Sequence, residues 1–120
     1  MDELFLIAER EMKELRQPYV GTEHIFLAFL KLFGNEFITY ETFKKDIIKV
    51  IGQSHKESEY TLYTPLLRKI KNESFNIYDV LIKILTNDDS IAYNLLLVGG
   101  YDIEKIYLDI LSNKNIQDFG

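Results

Sequence analysis

The sequence predicts an all-α fold on three observations. Apolar residues recur at three- and four-residue spacing along most of the chain. Gly, Pro, Asn, Asp and Thr fall between those periodic stretches, where helices start and stop. The period-two alternation of a half-buried strand is missing, apart from isolated β-branched pairs that helical spacing already explains. The expectation is seven to eight short helices with tight turns, arranged as a pseudo-twofold, duplicated four-helix repeat.

The first helix is read over residues 2 to about 15, with Leu4, Ile7, Ala8, Met12 and Leu15 as its apolar stripe. Gln17-Pro18 ends it, because the residue before proline avoids the helical region. A second helix runs from about 22 to 33 and stops at Gly34-Asn35. Residues 36–40 fit either a short turn or an extended connection. Another helix follows from about 41 to 51, with Phe43, Ile47, Val50 and Ile51 as its buried face, and Gly52 stops it. The polar, aperiodic run from Gly52 to Tyr63 reads as a linker. Thr64-Pro65 supplies an N-cap and a first-turn proline for a helix to about Asn72. Asn76 caps the next, to about Leu85, and Asn87-Asp88-Asp89-Ser90 opens one carrying Ile91, Leu95 and Val98, closed by Gly99-Gly100. Asp102 caps the last, with Ile103, Ile106, Tyr107, Ile110 and Leu111 in register. Residues 112–120 are polar and expected to fray.

The second helix organises the rest. Gly21 lets the backbone turn, Thr22 is placed as the N-cap, and Glu23 sits at the positive end of the helix dipole. From Ile25 to Phe33 the helix is apolar on nearly every side, which demands a central position. The two halves of the chain also resemble each other. Ile25–Leu30 aligns with Val80–Leu85 at an offset of 55, and Phe43–Ile51 with Ile103–Leu111 at an offset of 60. Two units, each too small to bury its own core, would stack into one domain over residues 1–120. Repeat one covers about 2–51, the linker 52–63, repeat two about 64–111, and the tail 112–120.

Composition narrows the function classes. The 120 residues carry 19 acidic and 14 basic side chains, a net charge of −5, which disfavours nucleic acid as the main ligand. Lys44-Lys45 and Arg68-Lys69-Lys71 are the only basic clusters, and solvated helix faces account for them. No cysteine is present, so disulfides and thiolate metal sites are excluded. No apolar run reaches the roughly 20 residues of a membrane span, and the acidic N-terminus lacks the positive charge of a signal peptide. The expected location is the cytoplasm, without membrane contact and as a monomer in isolation. No catalytic constellation, metal site or cofactor site is read. His24 and His55 are the only histidines, and His24 at a helix entrance reads as a hydrogen-bonded structural residue. Asp88-Asp89 reads as helix capping rather than a metal pair. The Phe and Tyr residues are mostly core, with a few left to line a peptide groove.

Helix one, then Tyr19-Val20-Gly21-Thr22-Glu23-His24-Ile25-Phe26-Leu27, then Tyr63-Thr64-Pro65 opening a second copy, resembles the N-terminal domain of Clp-type AAA+ unfoldases of the ClpC kind. The resemblance covers nearly the whole chain. It implies a double Clp N repeat that docks protein substrates or adaptor proteins for an ATPase ring without doing chemistry. In ClpC-like members the glutamate of this motif helps recognise phosphorylated arginine, a role that falls here on Glu23 with the helix entrance at Gly21 and Thr22. The pairing is physically sound: a carboxylate matches a guanidinium, and free helix-entrance N–H groups hold a phosphate.

The sequence departs from the family in three places. Asn76-Ile77-Tyr78-Asp79 stands where the motif would recur, leaving Asp79 as the carboxylate of a weaker second site. The segment after the second helix is short, so the third helix of repeat one is reduced. No Walker A motif occurs, so no ATPase is expected in these residues. A stand-alone Clp regulator and a small helical nucleic-acid-binding regulator are the alternatives.

Overall fold

The computed structural model describes residues 1–53 and 61–117. Its elements are α1 (Asp2–Glu14), α2 (Thr22–Leu32), α3 (Tyr40–Ile51), α4 (Pro65–Glu73), α5 (Ile77–Thr86), α6 (Ile91–Val98), α7 (Ile103–Ser112) and α8 (Lys114–Gln117). The fold is all-α. Among the described residues the only β pairing is an isolated parallel bridge between Val20 and Tyr63.

Helix ends follow the local chemistry of the sequence. Thr39, Thr64, Asn76, Ser90 and Asp102 each accept a hydrogen bond from the backbone N–H three residues on, satisfying a donor the helix cannot use. α1 ends before Pro18 acts. Arg16 takes a left-handed conformation (φ 53°), so that Gln17 N–H reaches Met12 O and Arg16 N–H reaches Lys13 O. The same paired closure ends α6, with Gly100 in the left-handed position.

α2 is the central helix, packed against α1, α3, α5 and α6. Every residue from Thr22 to Leu30 is buried. Phe26 meets Phe29 at 5.8 Å between ring centroids and Phe43 of α3 at 5.0 Å, edge to face. α5 and α7 complete the core through Val80, Leu81, Ile84, Ile106 and Ile110.

Several expectations need correction. Residues 33–39, where the sequence left a short turn or an extended connection open, form an irregular connection without a helix, with Ile38 buried. On α3, burial stops at Ile47, and Val50 and Ile51 of the last turn are exposed. On α6, Leu95 is buried as expected, but Ile91 is 40% and Val98 82% exposed, and Ala92 and Leu96 are buried in their place. The tail does not simply fray: Asn113 O accepts a bond from Tyr78 Oη, and Ile116 of α8 packs into the core. The linker's described end is anchored, since Val20 N–H bonds Leu62 O and Thr64 N–H bonds Val20 O. The rest of that linker, residues 54–60 with His55, lies outside the described residues.

Candidate functional site

The entrance of α2 collects buried polar side chains: Gln17, Thr22, Glu23, His24 and, from the start of α6, Ser90. Buried polar groups need partners, and all but one oxygen here has them. Gly21, not Thr22, is the N-cap, in an extended conformation open to any residue (φ −117°). Its N–H donates to His24 Nδ1 at 2.9 Å. That bond fixes the tautomer, so the proton sits on Nε2, which donates to Gln17 Oε1. Gln17 Nε2 in turn donates to Gly52 O at 2.8 Å, tying the entrance to the end of α3. Burial pushes His24 down to about 4, so the ring is neutral. His24 is a hydrogen-bonded structural residue, as its setting beside a helix start implied.

Thr22 does not cap its own helix. Its Oγ1 accepts from Ser90 Oγ and from Ala92 N–H, both at 3.1 Å, so it satisfies a first-turn amide of α6. The amino ends of α2 and α6 therefore meet across this hydroxyl.

Glu23 is 3% exposed, and its Oε1 has no hydrogen-bond partner. His24 Nδ1 lies 3.7 Å away, but this is no ion pair: the ring is neutral and that nitrogen already accepts from Gly21. Burial raises the carboxyl to about 7, opposed by a bond from Glu23's own backbone N–H. The carboxylate folds back over Gly21. A Cβ at position 21 would lie 1.9 Å from Glu23 Oε1, so glycine is needed here for close approach rather than for an unusual φ.

Gly21, Thr22 and Glu23 are thus brought together, beneath the surface. Asp79 is elsewhere and locally employed: it accepts from Phe75 N–H while its own N–H bonds Asn76 Oδ1, a reciprocal closure of the α5 entrance. His24 and Asp79 both occupy the third position of their helices and reach back toward the cap. Asp88 and Asp89 are exposed, and Ser90 is the cap. Among the described residues no cluster of His, Asp or Glu is arranged to hold a metal. Gln17 and Ser90 were not singled out from the sequence as site residues. Their only signal was a polar residue flanking a helix end, which also describes an ordinary cap.

The exposed aromatics include Tyr19, beside the entrance, and Phe75, which is 93% exposed. A shallow surface depression of about 330 Å³ lies by α7, among Phe37, Leu108 and Asp109. No helix among the described residues is long and apolar enough to cross a membrane. Comparison with protein-family models and with curated proteins returned no match.

Proposed function

We propose that the chain is a non-catalytic docking module of the Clp N-domain kind, receiving segments of protein substrates or adaptors in the cytoplasm for a Clp ATPase. The motif Gly21-Thr22-Glu23-His24 and the Thr64-Pro65 start of a second copy support this reading. So does an all-helical chain with the motif at the entrance of its central helix. A duplicated ancestry fits the helix order if repeat one lacks the helix that α6 supplies in repeat two.

The observation that carries the ligand class is the unpartnered Glu23 oxygen. A buried carboxylate oxygen without a donor is rare and calls for a purpose. A guanidinium would satisfy it with two parallel bonds. Arginine bearing a phosphate adds an anion for the amides of the same helix start. Reaching such a ligand requires the Glu23 side chain to turn outward from its buried position.

Calorimetry tests this with a peptide carrying one phosphoarginine, against its unphosphorylated twin. At pH 8 the phosphorylated peptide binds one site, and Glu23→Ala weakens it at least tenfold. Absence of binding, or equal binding by Glu23→Ala, removes the phosphoarginine reading.

A further inference from the structure

We propose that Glu23 is a self-masking latch: its neutral carboxyl folds back over Gly21 and covers the α2 entrance, and ionisation swings it outward to uncover that entrance. The inference rests on the docking reading for its biological use, but its geometry stands apart from it.

Three features of the fold carry it. The carboxyl is packed against the Gly21 Cα, in space that any larger residue would claim. One of its oxygens has no donor, so inside the fold an ionised group keeps only the backbone N–H of its own residue as a partner. An uncompensated buried charge is costly, and turning toward water relieves it. Finally, the folded-back carboxyl lies beside Glu23's own N–H, a first-turn amide that an incoming anion would use.

Among the described residues the one basic side chain within ion-pair distance of Glu23 is the neutral His24 ring, whose Nδ1 lies 3.7 Å away. On α1, Glu11 faces Lys31 and Tyr40, toward the other end of α2. α6 carries no acidic or basic residue in its first turn, and Tyr93 is its only titratable side chain. Asp88 and Asp89 ahead of it are exposed. On the strand-like approach, Val20 pairs with Tyr63, whose hydroxyl is bonded to Glu9. A protonation midpoint near neutrality places the switch in the physiological range.

Nuclear magnetic resonance on the ¹³C,¹⁵N-labelled chain tests the latch without any ligand. The Glu23 carboxyl carbon should titrate near pH 7, and the proton–proton contacts between Gly21 and the Glu23 side chain should fade over the same interval. In Glu23→Gln those contacts persist through pH 9. Gly21→Ala, whose added Cβ evicts the side chain, should return the Glu23 midpoint to the ordinary carboxylate range. A Glu23 midpoint below pH 5 in the wild type overturns the latch. So do Gly21–Glu23 contacts that survive ionisation, or contacts in Glu23→Gln that fade with pH. Binding of the phosphoarginine peptide separates the two proposals. A latch that opens while no peptide binds at pH 8 removes the docking reading alone. Equal peptide binding at pH 6 and pH 8, with a Glu23 contact that never opens, removes the latch alone.

Discussion

Glu23 and His24 are neighbours whose titrations act on stability in opposite senses. Glu23 rises to about 7 on folding, so between 4.5 and 7 the native chain holds a proton the unfolded chain has lost, and stability falls as pH rises. His24 drops to about 4, so between 4 and 6.5 the unfolded chain holds the extra proton, and stability rises with pH. The two nearly cancel across their overlap. Removing one exposes the other: relative to wild type, Glu23→Gln gains about 3 kcal/mol between pH 4.5 and pH 7.5. Urea unfolding at both pH values measures it, and a pH-independent difference contradicts the assignment. Arg16 gives a simpler residue-scale prediction. Its left-handed backbone costs a side-chain-bearing residue about 1 kcal/mol, so Arg16→Gly raises stability by that amount in the same assay. Neither position announced itself. Gly21-Thr22-Glu23-His24 was legible as a helix start, but an exposed dipole partner and a buried orphan carboxylate have the same sequence.

Helix starts were the most legible elements. Thr64-Pro65, Asn76 and Asp102 cap where their local chemistry dictates, because each bond spans only three residues. Thr22 departs from its local pattern for the converse reason: its partners Ser90 and Ala92 lie 68 and 70 residues away, beyond any local signal. The α2–α6 joint that results is testable. Thr22→Val keeps the shape but leaves the Ala92 N–H without its acceptor, and should cost about 1–3 kcal/mol. Fast amide exchange at Ala92 should accompany it, and an unchanged exchange rate there would show the bond to be dispensable. The exposed Val50, Ile51 and Val98 show the limit of periodicity. Spacing assigns residues to a face, while the reach of neighbouring helices decides where along that face burial stops.

The whole molecule is built around α2, which its unbroken apolar run forecast. The contribution of residues beyond Ser112 is not legible in the sequence, because Ile116 stands between the polar runs Asn113-Lys114-Asn115 and Gln117-Asp118. Its burial makes α8 part of the core, so Ile116→Ala should destabilise by about 2–5 kcal/mol, as buried Ile truncations do. Thermal unfolding of that variant measures the loss, and a melting temperature equal to wild type would place α8 outside the cooperative unit. At this scale the proposed docking role makes the amino end of the central helix a ligand entrance shared with α6. Titrating the ¹⁵N-labelled chain with the phosphoarginine peptide at pH 8 tests it most directly. The account predicts the largest amide shifts at Gly21, Thr22 and Glu23, continuing across the joint to Ser90 and Ala92. Shifts centred instead on Phe37 and Leu108 by α7, or none at saturating peptide, would contradict it.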